Sequence, residues 1–155
     1  MRPIRIAIIG YGKIAEDQHV PSIAGNPRFE LVATSSRSGQ GVAKTFTDWR
    51  ELIRSVDGLE AVAITTPPGP RYEIARECLL AGLHCLLEKP PTAGLAEIAD
   101  LDCLAQAQGV TLFTRTMTVE AYKDQPMPDG FFRIVNPANI DSYHAAVARE
   151  LALAG

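Results

Sequence analysis

Residues 6–15 read Ile-Ala-Ile-Ile-Gly-Tyr-Gly-Lys-Ile-Ala, an apolar run that ends in Gly10-x-Gly12-x-x-Ala15. This spacing places a strand, a tight turn and a helix start in one stretch, the arrangement that holds a pyrophosphate. Gly10 lets the chain turn sharply. Gly12 has no side chain, so a phosphate can approach the backbone, and Ala15 is small enough for helix and strand to pack closely. The first helical turn, with Lys13 and Ile14, presents N–H groups that lack intrahelical partners and the positive end of a dipole. The alternative is a tight strand-to-helix turn that binds nothing.

Three further stretches could do chemistry. In dinucleotide folds an acidic residue near the end of the second strand holds the adenine ribose hydroxyls. Here that place reads Ser35-Ser36-Arg37-Ser38, without a carboxylate. Ser36 can donate to a phosphate, and Arg37 can pair with it or stack on adenine, so the charge pattern favours NADP over NAD. The competing reading is a solvated loop. Thr65-Thr66-Pro67-Pro68 offers a fixed backbone for a nicotinamide ribose, or a proline turn that ends a strand. Glu88-Lys89-Pro90-Pro91 is the third stretch; by itself it is any charged turn. Tyr72 reads as a core aromatic or a pocket wall. His19, His84 and His144 share no spacing and read as packing or surface residues rather than chemistry. Cys78, Cys85 and Cys103 are an odd number without CxxC spacing, which argues against a metal site and for reduced thiols.

The elements that must position these residues alternate along the chain. Strands are predicted over residues 4–9, 29–34, 61–65, 84–87 and 110–114, from β-branched and apolar runs. Helices are predicted over 13–24, with Ile14, Val20 and Ile23 as its buried side, and over 48–55, capped by Asp48, with Trp49, Leu52 and Ile53 inward. Further helices are predicted over 71–81, closed by Gly82, and over 95–108, stopped by Gly109, with a short one over 38–44. Such alternation gives an α/β fold: an open, doubly wound, mostly parallel sheet with helices on both faces. Right-handed crossovers put the strand C-termini on one edge, where the glycine turn, residues 35–37, 65–68 and 88–90 all fall. Ligands of such sheets bind at that edge.

Composition limits the alternatives. The 155 residues are 46% hydrophobic and 21% charged, which suits a globular core rather than a disordered chain. A net charge of −3 attracts neither nucleic acid nor an anionic membrane surface. No apolar run has transmembrane length, and Arg2 and Arg5 flank a strand rather than a signal segment, so the expected location is cytoplasmic.

Taken together, Gly10-Tyr11-Gly12-Lys13-Ile14-Ala15, Thr66-Pro67-Pro68, the run from Ala75 to Leu87 and Glu88-Lys89-Pro90 resemble the Gfo/Idh/MocA oxidoreductases. The string from Gly12 to Pro21, with Asn26-Pro27-Arg28-Phe29 and Glu88-Lys89-Pro90-Pro91, is similar to the family's galactose and arabinose 1-dehydrogenase branch. The resemblance covers residues 4–114. It implies a Rossmann domain that binds NAD(P) and oxidises a small aldose at its anomeric carbon to a lactone. It further implies that Lys89 hydrogen-bonds the reacting hydroxyl and helps remove its proton, and that the Lys89–Pro90 bond is cis; the family's homo-oligomer interface belongs to the substrate domain, which leaves the oligomeric state of this chain open. With Ser36 and Arg37 from the charge pattern, the expected cofactor residues are Gly10, Gly12, Lys13, Ile14, Ser36, Arg37, Thr65, Thr66, Pro67, Glu88, Lys89 and Pro90.

The pattern ends after Thr114, giving a dinucleotide-binding domain over 1–115 and a divergent tail over 116–155. Residues 116–130 are polar and contain Pro126 and Pro128. Phe131–Val135 reads as a strand. Asn136-Pro137 reads as the start of a helix whose Ile140, Tyr143, Val147 and Leu151 share a face. The short piece Ile140–Ala145 resembles the first strand of DOPA-type ring-cleaving dioxygenases, against that helical reading. The substrate domain that the family resemblance implies is missing from these residues, and the expectation is a truncated enzyme, with a non-catalytic dinucleotide-binding module or a degenerate fragment as the alternatives.

Overall fold

The central strands are short runs of isoleucine, valine, leucine and alanine, apolar on both faces, as strands covered from both sides must be. The computed structural model describes residues 2–114. Its strands are β1 (Ile4–Ile9), β2 (Phe29–Ser35), β3 (Lys44–Phe46), β4 (Ala61–Ile64), β5 (His84–Leu87) and β6 (Leu112–Thr114). They form one sheet in the order β3-β2-β1-β4-β5-β6, and every neighbouring pair is parallel. The order reverses between β1 and β4, so the chain leaves these adjacent strands in opposite directions and a crevice opens beyond their C-termini.

The helical segments are α1 (residues 13–24), α2 (Trp49–Ser55), α3 (Pro68–Leu80) and α4 (Leu95–Gln108). Alternation along β1 divides the core. Ala7 and Ile9 join Leu52, Ile74, Leu79 and Leu101 of α2, α3 and α4 on one face. Ile6 and Ile8 join Ala15 and Ile23 of α1 on the other. The doubly wound, parallel α/β architecture expected from the alternation is therefore the one observed.

Three local expectations change. Residues 38–44 form a loop and the start of β3, not a helix. The Thr34 hydroxyl donates to Val42 O at 2.9 Å and accepts Val42 N–H at 3.1 Å, and the Ser36 hydroxyl donates to Gln40 O at 2.7 Å. Side-chain bonds of this kind compete with helical ones, and Gly39 and Ala43 stand at positive φ, +71° and +58°. Second, α3 begins at Pro68 rather than Arg71, since prolines at a helix start lose no internal hydrogen bond. Third, α1 is not uniform: Ala15–His19 winds as a π-helix, in which Val20 N–H donates to Ala15 O, before Val20–Ala24 returns to α geometry. Pro21 has no N–H to give Asp17, and its ring would crowd that carbonyl; a widened turn relieves both. The tail expected over 116–155 lies outside the described residues.

Candidate functional site

The turn after β1 is built around two glycines with different duties. Gly10 has φ +98°, and a Cβ there would stand 2.7 Å from the Thr66 backbone nitrogen. Its position is fixed: the N–H groups of Gly10 and Tyr11 both donate to Ser35 O, at 2.9 and 2.7 Å, and the Thr65 hydroxyl donates to Gly10 O at 2.8 Å. A Cβ on Gly12 would meet only Gly10 O, at 3.9 Å. That open space lies above the start of α1, where the first N–H groups have no helical acceptors. Ala15 is fully buried against Ile6 and Ile8, so helix and strand are in close contact. Beside Gly10, Thr66 Oγ1 is buried with no hydrogen-bond partner among the described residues. An open cradle at Gly12 and an orphaned hydroxyl next to it fit the phosphates and ribose of a dinucleotide. Lys13 turns its ammonium back along the exposed helix face to Asp17.

At the end of β2, Ser36 N–H donates to Phe46 O at 3.0 Å, which anchors the loop to β3. The Ser36 hydroxyl donates to Gln40 O at 2.7 Å and lies 3.3 Å from Ser38 Oγ, so in this loop conformation its proton is not directed at a phosphate as expected. Arg37 is exposed and makes no ion pair among the described residues.

The loop after β5 is held from beneath. Glu88 and Thr92 are buried, while Lys89 and Pro90 stand exposed between them and Pro91 is buried. The Lys89–Pro90 bond is cis, as the resemblance implies. Arg71, only 3% exposed, lies in the first turn of α3. One terminal nitrogen, Nη1, donates to Glu88 O at 2.6 Å and also to Pro90 O; Nη2 donates to Thr66 O. One planar fork thus ties the β4 turn to the β5 loop through three carbonyls. From the opposite face of the sheet, His19 Nε2 of α1 meets Glu88 Oε1 at 2.8 Å. The loop's backbone completes the set, with Lys89 N–H donating to Glu88 Oε2 at 3.4 Å.

Gly10, Thr65 and Thr66 are therefore in contact, as are Thr66, Glu88 and Pro90 through Arg71. Gly12, Lys13, Ile14, Ser36, Arg37, Pro67 and Lys89 lie on the same sheet edge. Tyr72 is a half-buried core aromatic whose hydroxyl donates to Asp100 of α4 at 2.8 Å. The shifted histidine, His84, lies at the other edge: burial lowers its pKa against the pull of Glu60, and its Nδ1 accepts Thr111 N–H at 3.0 Å. His19 and Arg71 were not among the expected site residues. Both fall on apolar stripes, Ala15-His19-Ile23 and Arg71-Ile74-Ala75-Cys78, and a polar residue on such a stripe is the signal that could have found them.

Comparison with known proteins gives a consistent picture. Residues 4–116 match the model of the Gfo/Idh/MocA group, described as an oxidoreductase family with an NAD-binding Rossmann fold. The chain is 46% identical over 101 residues to the galactose 1-dehydrogenase of Pseudomonas fluorescens, covering 64% of this chain and 33% of that protein. It is 31% identical over 114 residues to the scyllo-inositol 2-dehydrogenase (NADP(+)) of Bacillus subtilis, covering 70% and 32%. The crystal structure of a D-galactose-1-dehydrogenase from Rhizobium etli superposes with a TM-score of 0.71 at 46% identity, covering 79% of this chain and 42% of that one. The chain spans about a third of the length of these curated relatives.

Proposed function

The chain belongs to the Gfo/Idh/MocA oxidoreductases, and from that premise we propose that it is the NADP-binding domain of an enzyme that oxidises an aldose at C1 to a lactone. The observation that carries this reading is the joining of the glycine turn, Thr66 and the Lys89 loop at one sheet edge, through Gly10 against Thr66 and Arg71 across three carbonyls. The main-chain N–H groups of Gly12, Lys13 and Ile14 hold the pyrophosphate. Arg37, with Ser36 beside it, pairs with the 2′-phosphate and makes NADP the preferred form over NAD. Thr65, Thr66 and Pro67 flank the nicotinamide ribose, and the unpartnered Thr66 hydroxyl finds its partner there. When bound, the nicotinamide supplies the acceptor for the electron pair that leaves C1. Lys89, exposed between buried Glu88 and buried Pro91, hydrogen-bonds the anomeric hydroxyl and takes its proton as the C=O bond forms. Glu88 and Pro90 fix the loop that carries it.

The same reading gives a small-molecule substrate, a cytoplasmic location and a homo-oligomer. The three cysteines carry free thiols, and no helix among the described residues is long and apolar enough to cross a membrane.

The test is a titration with NADPH and NADH followed by nicotinamide fluorescence, then reduction of NADP with D-galactose, L-arabinose or D-glucose followed by absorbance. The expected result is saturable binding, tighter for NADPH, with turnover that Lys89→Met removes while NADPH affinity is retained. Binding without turnover on any of the three sugars would make the chain a dinucleotide-binding module rather than a catalyst. No binding of either nucleotide refutes the reading.

A further inference from the structure

We propose that His19 is a positioning residue that links dinucleotide binding at the Gly10–Ala15 turn to the order of the Lys89 loop; this rests on the dinucleotide reading above. The bond between His19 Nε2 and Glu88 Oε1 joins two parts of the site that are 69 positions apart in the chain. Its side chains are 1% and 8% exposed, whereas pairs such as Lys13–Asp17 and Arg50–Glu73 stand in solvent. A hydrogen bond in a low-dielectric interior is stronger and more directional than one in water. Its position gives it a use beyond packing. His19 rides on the helix whose first turn faces the phosphates, at the last residue of the π-wound stretch. Glu88 opens the loop that carries Lys89, and its second oxygen takes the Lys89 N–H. A ligand that settles the first turn of α1 therefore settles His19, and through one carboxylate it settles the backbone of Lys89. Arg71 holds the same loop from α3 and reaches the glycine turn less directly, through Thr66, Thr65 and the Thr65 hydroxyl on Gly10 O. The shortest hydrogen-bonded route from the helix that faces the phosphates to Lys89, through one carboxylate, runs through His19.

The experiment uses 2′-phosphoadenosine 5′-diphosphate, which carries the adenine, 2′-phosphate and pyrophosphate of NADP without the second ribose or nicotinamide. It fills the phosphate end and does not reach Lys89. Backbone amide exchange is read by mass spectrometry in the full chain, with and without this ligand, for the wild type, His19→Gln and His19→Asn. Gln places its amide nitrogen where Nε2 stands, and Asn stops one methylene short. Both keep a polar side chain at this buried position, and retained slowing around residues 10–16 shows that a variant is folded and binds the ligand. In the wild type and in H19Q the ligand slows exchange in residues 86–93 by about threefold or more, the signature of a coupled local opening. In H19N it slows exchange around residues 10–16 and 36–42 as before but slows 86–93 at most half as much as in the wild type. Equal slowing of 86–93 in H19N, or none in a wild type that binds the ligand, overturns the inference. Absence of ligand binding instead defeats the dinucleotide reading, and the inference falls with it.

Discussion

Substituting each glycine of the turn by alanine separates a residue the fold needs from one the ligand needs. At Gly10, an alanine must sit at φ +98°, a conformation that costs a non-glycine residue about 1–3 kcal/mol. Its Cβ would also lie 2.7 Å from Thr66 N, 2.7 Å from Thr66 Cγ2 and 2.9 Å from Thr66 Cα. Two of those atoms are backbone, and the neighbouring Thr65 N–H is held to Ile9 O at 2.9 Å in the sheet. Relief must therefore come from parting β1 and β4, an overpacking cost of about 1–3 kcal/mol. The expected loss for Gly10→Ala is about 2–6 kcal/mol, against a typical total stability of about 5–15 kcal/mol. At Gly12 the added Cβ meets only Gly10 O at 3.9 Å. Gly12→Ala should hold stability to within about 0.5 kcal/mol, the range of an unstrained surface change. The same methyl group occupies the space reserved for the phosphate, so NADPH affinity should fall tenfold or more, about 1.4 kcal/mol. Urea unfolding followed by Trp49 fluorescence gives the stabilities, and nicotinamide fluorescence gives the affinities. If G12A loses as much stability as G10A, or binds NADPH like the wild type, the division of labour between the two glycines is wrong.

Arg37→Asp should weaken NADPH by roughly 10- to 150-fold, the worth of a hydrogen bond to a charged group at about 1.5–3 kcal/mol, with a far smaller effect on NADH; equal losses in the same titration would remove the 2′-phosphate assignment. Arg71→Met leaves the carbonyls of Thr66, Glu88 and Pro90 without their donor. At about 1–3 kcal/mol for each buried group left unsatisfied, the urea midpoint should fall steeply, and R71K should recover only part, because an ammonium cannot reproduce the planar fork. A midpoint unchanged in R71M would show that the loops hold themselves. His84 has its pKa lowered by burial, so below the ordinary histidine value of about 6.5 the unfolded chain binds the proton more readily than the folded one. Its contribution is complete above that pH and is lost as pH falls through it, when the proton also displaces Thr111 N–H from Nδ1. The midpoint should decline from pH 7 to 5.5, and His84→Gln should flatten that decline; an unchanged slope in H84Q would assign it to other groups.

The sequence by itself determined most of the architecture, for local reasons. Apolar runs such as Ile6–Ile9 and Ala61–Ile64 are too short for helices and too uniformly apolar for half-exposed strands, so they must be buried strands. Asp48 accepting Arg50 N–H at 2.9 Å and Gly109 at φ +67° are the cap and stop that their residue types announce. The Gly10-x-Gly12 spacing is likewise local, because a sharp turn and an open cradle depend on the few residues that form them. What only the tertiary structure decided depends on residues far apart in the chain. Lys44–Phe46 is apolar at one position in three and is a strand because Ala33–Ser35 of β2 offers it a ladder. The 38–44 loop follows from Thr34 reaching Val42. The π-wound turn of α1 carries His19 inward, and Glu88 meets it there from 69 residues away. Arg71 sits on an apolar stripe, where a guanidinium is tolerated only because three carbonyls from two loops converge on it. Periodicity could mark both side chains as buried; their partners were set by packing, which no local pattern encodes.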